Sequence, residues 1–307
     1  MWLQPSIEVP VTGPDDPRVG QLLRGQAGGE QPLRAVIAGF PTDVGVRRNG
    51  GRPGASSAPD RIRNFLYRMT PPAELAPSFS QLLSQTVDLG NFSVSDDLEA
   101  DQQELGELLS RYLADETVVI VLGGGHETSF GHFLAYALNS TEVEILNFDA
   151  HADVRPLKDG HAHSGSPFRQ ALEHPSKACR RYTVLGLQPQ SNAGTHLEFV
   201  REHGDYRWAA DLNPQSISRE FVGKSRLMVT IDVDVVDQAF APGVSAPAVG
   251  GIEPSVLLAS ARQAGRSPRV TSIDVVEVNP QVDIADQTSR LAAVLVWQFL
   301  AGLAERP

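Results

Sequence analysis

Short apolar, β-branched runs that stop abruptly at histidines and carboxylates constrain this chain more than any other feature. Thr117–Leu122 passes into Gly123-Gly124-Gly125-His126-Glu127, Val143–Phe148 into Asp149-Ala150-His151-Ala152-Asp153, and Leu227–Ile231 into Asp232-Val233-Asp234. Each run suits a buried strand and is too short for an ordinary helix. Similar runs lie at Arg34–Ala38, Thr86–Leu89, Tyr182–Leu185 and Val270–Val275, and the third run extends back to Arg226. Helical periodicity separates them at Pro59–Met69, Glu99–Leu113, Ser129–Leu138, Pro254–Ala264 and Thr288–Ala301. Strands alternating with helices predict an α/β fold of three layers, α/β/α, around a mostly parallel central sheet. Ligands bind such sheets at the carboxyl ends of strands, where the three polar clusters stand.

In extended chain alternate side chains share a face, so Asp149, His151 and Asp153 can converge, as can Asp232 and Asp234. With His126 that makes two imidazoles and four carboxylates. Four buried carboxylates repel one another unless cations neutralise them. Nitrogen and oxygen donors without sulfur suit Mn²⁺, and six ligands suit a two-ion site with bridging carboxylates. A lone Asp-X-His-X-Asp carries little weight, since acidic loops usually face water; three clusters, each after a strand, carry much more. The triglycine has neither a following Lys-Ser/Thr nor a Gly-X-Gly-X-X-Gly pattern to hold phosphate, and reads as a tight turn aiming His126 inward.

Composition narrows the function. The formal charge of −11 argues against a nucleic-acid or anionic-membrane surface. With 41% hydrophobic and 21% charged residues, 307 residues can bury a large core in one domain. Cys179 is the lone cysteine, which excludes a disulfide framework and suits a reducing, cytoplasmic setting. The start, MWLQPSIEVPV, lacks the basic and apolar blocks of a secretory signal. Leu291–Ala304, interrupted by Gln298, is too short to span a bilayer and predicts a buried C-terminal helix. Residues 1–32, rich in Pro, Gly and Asp, predict an irregular arm ahead of a single catalytic domain over 33–307.

The segments GGGHETSFGH, NFDAHADVR, TIDVDVVDQAFAPGVSAP and DVVEVNP, with GVRRNGGRPGA before them, resemble the ordered signatures of the ureohydrolase (arginase/agmatinase) superfamily over residues 33–302. The resemblance implies an arginase-like fold and two Mn²⁺ per subunit. One ion is then expected on His126, Asp149, Asp153 and Asp232, the other on His151, Asp149, Asp232 and Asp234, with Asp149 and Asp232 bridging. It further implies hydrolysis of a C–N bond in a linear amidine by a metal-bridging hydroxide that Asp153 orients, with Glu277 hydrogen-bonding the amidine nitrogens. A small-molecule substrate and a homo-oligomer are expected.

Arginases and agmatinases usually carry His-Gly-X-Pro after the Asp-X-His-X-Asp loop, the His acting as a proton shuttle. Here Ser164-Gly165-Ser166-Pro167 stands in that place, with His163 one residue earlier and His161 two before that, each a displaced shuttle or a plain loop histidine. HSGSPFRQ, GVRRNGGR and APGVSAP are similar to the formimidoylglutamase branch, which converts N-formimidoyl-L-glutamate and water to L-glutamate and formamide in histidine degradation. Hydrolysis of another guanidino or amidino acid, as in agmatinases, guanidinobutyrases or arginases, stays open. A catalytically silent relative stays open too, although no ligand position is lost. A dicarboxylate substrate calls for guanidinium forks. Arg155, directly after the metal loop, and then Arg169 are the candidates for that task, beside Ser164 and His163. Arg47, Arg48 and Arg52 read first as salt-bridge residues.

Overall fold

The computed structural model describes residues 2–4, 7, 9, 11–13, 15–23 and 32–306. Its strands are β1 (Trp2–Leu3), β2 (Ala35–Phe40), β3 (Thr86–Phe92), β4 (Val118–Gly123), β5 (Val143–Phe148), β6 (Cys179–Leu187), β7 (Gly204–Trp208), β8 (Leu227–Asp232) and β9 (Val270–Val276). They form one sheet in the order β1-β3-β2-β4-β9-β8-β5-β6-β7. Every pairing is parallel except β1 with β3.

The helices are α1 (Val19–Leu22), α2 (Val44–Asn49), α3 (Ala58–Leu66), α4 (Ala76–Ser84), α5 (Leu98–Ala114), α6 (Thr128–Leu138), α7 (Pro167–Glu173), α8 (Gly194–His203), α9 (Pro214–Ser218), α10 (Pro254–Arg266) and α11 (Gln287–Ala304). Residues of β2, β4 and β8 are buried throughout, because helices cover both faces of the sheet. In β4, Val118, Ile120 and Leu122 join the core under α3, α4, α10 and α11, whereas Val119 and Val121 join the core under α5, α6 and α7. The expected three-layer architecture is present. Among the described residues no helix is long and apolar enough to cross a membrane.

Some elements were silent in the sequence for physical reasons. The edge strand β7, Gly-Asp-Tyr-Arg-Trp, is only half-buried and so needs no apolar run. The Pro and Ser residues that open α4 mask its amphipathic pattern. Within 1–32, Trp2 and Leu3 pair with Phe92 and Asn91, and Val19 is fully buried. Residues 1, 5, 6, 8, 10, 14 and 24–31 of that predicted arm lie outside the described residues.

Helices α10 and α11 meet backbone to backbone at Gly265 and Gly302. A Cβ on Gly302 would lie 2.2 Å from the Arg262 carbonyl oxygen, and one on Gly265 would lie 2.1 Å from that of Phe299. Helix propensity alone favours Gly302→Ala by about 1 kcal/mol. A methyl forced against a fixed carbonyl costs about 1–3 kcal/mol. Overpacking is expected to win, so urea unfolding of the Gly302→Ala variant should show a lower midpoint at unchanged slope.

Candidate metal centre

Four adjacent strands deliver the site. His126 follows β4, Glu277 follows β9, Asp232 ends β8 and Asp149 follows β5, in the spatial order β4-β9-β8-β5. None of the three glycines ahead of His126 lies in the left-handed φ region, so a left-handed turn is not their purpose. They permit close approach instead: a Cβ on Gly124 would fall 1.7 Å from the Thr42 carbonyl oxygen, and one on Gly125 would fall 2.1 Å from Glu127 Oε2. The backbone here is tied on both sides, Gly124 N–H to Phe40, Gly125 N–H to Thr42 and Glu277 N–H to Gly124.

Ligand-bearing atoms gather in two groups, His126, Asp149, Asp153 and Asp232 in one, and Asp149, His151 and Asp234 in the other. Only Asp149 belongs to both; Asp232, expected as a second bridge, sits in the first group alone. His126 Nδ1 is fully buried and faces Asp153 Oδ2 at 3.0 Å and the Oδ2 atoms of Asp149 and Asp232 at 3.2 Å each. None of these contacts has hydrogen-bond geometry. A nitrogen encircled by three carboxylate oxygens without a bond to any of them is a cradle of the right kind for a cation, and the sulfur-free donor set fits Mn²⁺. His151 Nδ1 lies 3.1 Å from Asp234 Oδ2 and 3.5 Å from Asp149 Oδ1 in the second group.

The electrostatics show the same crowding. Burial, then the charges of Asp234 and Asp149, holds the Asp232 carboxyl well above the usual range. Burial acts the same way on Asp149, yet the close imidazoles of His126 and His151 outweigh it and hold that carboxyl low. Burial opposes a charge on His151, but Asp234 and Asp149 push it up to about 12.

Behind the cradle the His126 ring is fixed by a buried chain of polar groups. Nε2 is 3.0 Å from Thr230 Oγ1, which is 3.1 Å from Ser129 Oγ; Ser129 donates to Asp274 Oδ2 at 3.1 Å, and His132 Nδ1 is 2.8 Å from the same oxygen. Such partners set the orientation of a metal-facing imidazole. Phe168 packs edge-on against His126, with ring centroids 5.1 Å apart, and stacks on Tyr182. Asn147 donates to Asp149 Oδ2 at 3.0 Å. Thr230 and Asn147 each precede a ligand by two residues, so strand alternation places them on the same face. That was the available signal for both.

Asp153 and Glu277 have φ of +46° and +65°, in the left-handed region that costs a non-glycine residue about 1–3 kcal/mol. Glu277 Oε1 accepts the His126 N–H at 2.7 Å. Burial raises the Glu277 carboxyl to about 7 despite that bond and the neighbouring Ser245 hydroxyl. Buried Glu127 accepts the Gly45 N–H at 2.7 Å and so anchors the start of α2.

A cavity of about 290 Å³ opens over the cluster, walled by His151, Asp153, Asp232, Asp234 and Glu277 and bordered by Asn49, Arg52, Arg155, Ser164 and Ser245. Asn49, at the end of α2, carries no sequence signal of its own beyond its place in GVRRNGGRPGA. It donates to Ser164 Oγ and accepts from Arg155 Nη1, both at 3.0 Å. Arg169 does not line the cavity; it pairs with Glu173 at 3.0 Å and lies over the Phe199 ring. Arg48 is engaged by Glu99 at 2.8 Å and Arg47 by Asp43. Exposed His161 has its Nδ1 3.6 Å from Glu99.

The sequence profile of the arginase family matches residues 33–302. The chain belongs to the arginase family. It is similar to the formimidoylglutamase of Rhodococcus opacus (strain B4), 36% identical over 89% of this chain and 87% of that protein. The formimidoylglutamase of Geobacillus sp. (strain WCH70) is 34% identical over 94% of this chain and 91% of its own. Among solved structures, Trypanosoma cruzi formiminoglutamase with Mn²⁺ superposes with a TM-score of 0.87 at 33% identity, over 95% of this chain and 100% of that one.

His163, one residue from the usual shuttle position of this family, is turned away from the cavity. Its Nδ1 accepts the Gly165 N–H at 3.1 Å, which leaves the proton on Nε2 to be donated to the Pro156 carbonyl at 3.0 Å. Burial lowers its pKa, so the neutral ring is favoured. With both nitrogens spent, His163→Ala is expected to keep kcat within about tenfold of the parent, or ~1.4 kcal/mol, in steady-state assays. A larger loss at unchanged thermal stability would make it a shuttle.

Proposed function

We propose that this hydrolase of the arginase family converts N-formimidoyl-L-glutamate and water to L-glutamate and formamide, with two Mn²⁺ ions in the candidate centre and one catalytic domain over residues 33–307. The observation that carries the reading is an acidic, cation-ready cluster beneath a cavity that also holds a guanidinium, Arg155, with no carboxylate partner among the described residues. The similarity to formimidoylglutamases supports it.

In this reading His126, Asp149, Asp153 and Asp232 would hold one ion, and His151, Asp149, Asp232 and Asp234 the other. When bound, the ions neutralise the carboxylates and acidify water enough to supply a nucleophile near neutral pH. Glu277, at the cavity wall, accepts N–H bonds from the formimidoyl group and so aims its carbon at the cluster. Asp153 takes the proton released by the attacking water and passes it to the departing α-amino nitrogen as the C–N bond breaks. Water thus supplies the oxygen of formamide, one proton to the departing glutamate amine and its second proton to the imino nitrogen, which becomes the formamide NH₂. Arg155, steadied by Asn49, receives a substrate carboxylate.

Product analysis with N-formimidoyl-L-glutamate, L-arginine and agmatine side by side should give glutamate and formamide from the first. Urea from arginine or agmatine at a comparable rate would overturn the substrate assignment. The shared place of Asp149 makes a separate prediction for metal content. Elemental analysis after Mn²⁺ loading and desalting should find about two ions in the parent, about one in His151→Ala and almost none in Asp149→Ala; two ions retained without Asp149 would contradict the ligand assignment.

A further inference from the structure

Five arginines stand near the centre in sequence or in space, and their partners divide them sharply. Arg47, Arg48 and Arg169 are consumed by Asp43, Glu99 and Glu173. Arg52 and Arg155 line the cavity, and neither forms an ion pair among the described residues. An unpaired guanidinium at the mouth of an acidic cavity in a chain of net charge −11 has no shortage of carboxylates to meet, so its freedom follows from how it is held.

Arg52 is held by backbone. Its Nε donates to the Ser245 carbonyl at 3.2 Å and its Nη2 donates to the Val244 carbonyl. Its own carbonyl accepts from Asn279 Nδ2 at 3.1 Å, which also reaches the Pro53 carbonyl at 2.9 Å. The loop after β8 therefore fixes the side edge of the guanidinium, and the loop after β9 fixes the backbone that carries it. The opposite edge, Nη1 with the second Nη2 hydrogen, has no partner among the described residues, and that edge has the geometry of a bidentate carboxylate fork. Arg155 is fixed differently, by one Nη1 bond to Asn49.

Resting on the reading of the substrate as a formimidoyl amino diacid, we propose that Arg52 is a specificity-determining residue that binds one substrate carboxylate while Arg155 binds the other. The cavity then measures a dicarboxylate: the formimidoyl carbon at the cluster and a carboxylate on each guanidinium. A substrate with one carboxylate, or with a cationic tail, leaves one guanidinium unpaired. Rejection of such substrates follows from the unmatched charge rather than from a steric block.

The test compares three substrates on Mn²⁺-loaded protein: N-formimidoyl-L-glutamate, N-formimidoyl-L-norvaline, which lacks the side-chain carboxylate, and N-formimidoyl-4-aminobutyrate, which lacks the α-carboxylate. Arg52→Met should lower kcat/KM at least tenfold for the diacid, yet stay within about twofold of the parent on whichever monoacid lacks the carboxylate that Arg52 reads. Arg155→Met should show the same pattern with the other monoacid. Arg52→Lys keeps the charge without the fork and should recover only part of the loss, and it serves as the reporter if Arg52→Met does not fold. Equal losses on all three substrates would make Arg52 a structural clamp and overturn its role while leaving the formimidoylglutamate reading intact. A parent enzyme that prefers either monoacid would overturn both.

Discussion

Carboxylates converge here where water is scarce, and the rest of the molecule accommodates that fact. Two unit charges 4 Å apart repel by about 4 kcal/mol at an effective dielectric constant of about 20. A few such pairs match the whole stability of a domain, about 5–15 kcal/mol. Asp149, Asp232 and Asp234 are almost fully buried and Asp153 stands beside them, so their charge must be met by protons, imidazoles or cations. The fold responds by anchoring every participant. Four central strands end at the cluster, the triglycine lets the chain before His126 press against the loop after β2, and the chain from Thr230 to His132 fixes the back of the imidazole. Left-handed backbone at Asp153 and Glu277 is the conformational cost of aiming those two carboxylates.

Rigidity at the centre extends to the rim through few residues. Glu127 follows His126 directly and anchors the start of α2 through Gly45, and α2 ends in Asn49, which contacts Arg155 and Ser164. Arg52 joins the loops after β8 and β9. The groups that line the cavity rim are thus tied to the same strand ends that carry the acidic cluster, so the spacing between the cluster and the guanidiniums is set by the sheet.

Much of this was legible in the sequence because buried parallel strands must be apolar throughout, and a polar residue at the end of such a run stands out. His126, Asp149, His151, Asp153, Asp232 and Asp234 were visible that way, as was the α/β class. The rim was less legible. Arg47, Arg48, Arg52, Arg155 and Arg169 have the same chemistry, and nothing along the chain says which has a carboxylate for a neighbour; that depends on Asp43, Glu99 and Glu173 arriving from elsewhere in the fold. Asn49 was hidden because Asn-Gly-Gly also describes an ordinary turn, and β7 because an edge strand can be polar. The triglycine reads from the sequence as a tight turn aiming His126 inward, and the close approach to Thr42 and Glu127 that makes glycine necessary there becomes visible only in the fold.

The central claim is that the acidic cluster is a two-cation centre organised around Asp149. Anomalous diffraction from crystals equilibrated with Mn²⁺, recorded at the manganese absorption edge, tests it most directly. Two peaks per chain are predicted, one among His126, Asp153 and Asp232 and one between His151 and Asp234, with Asp149 reaching both. No peak at these residues, or manganese bound only elsewhere on the chain, would contradict the account.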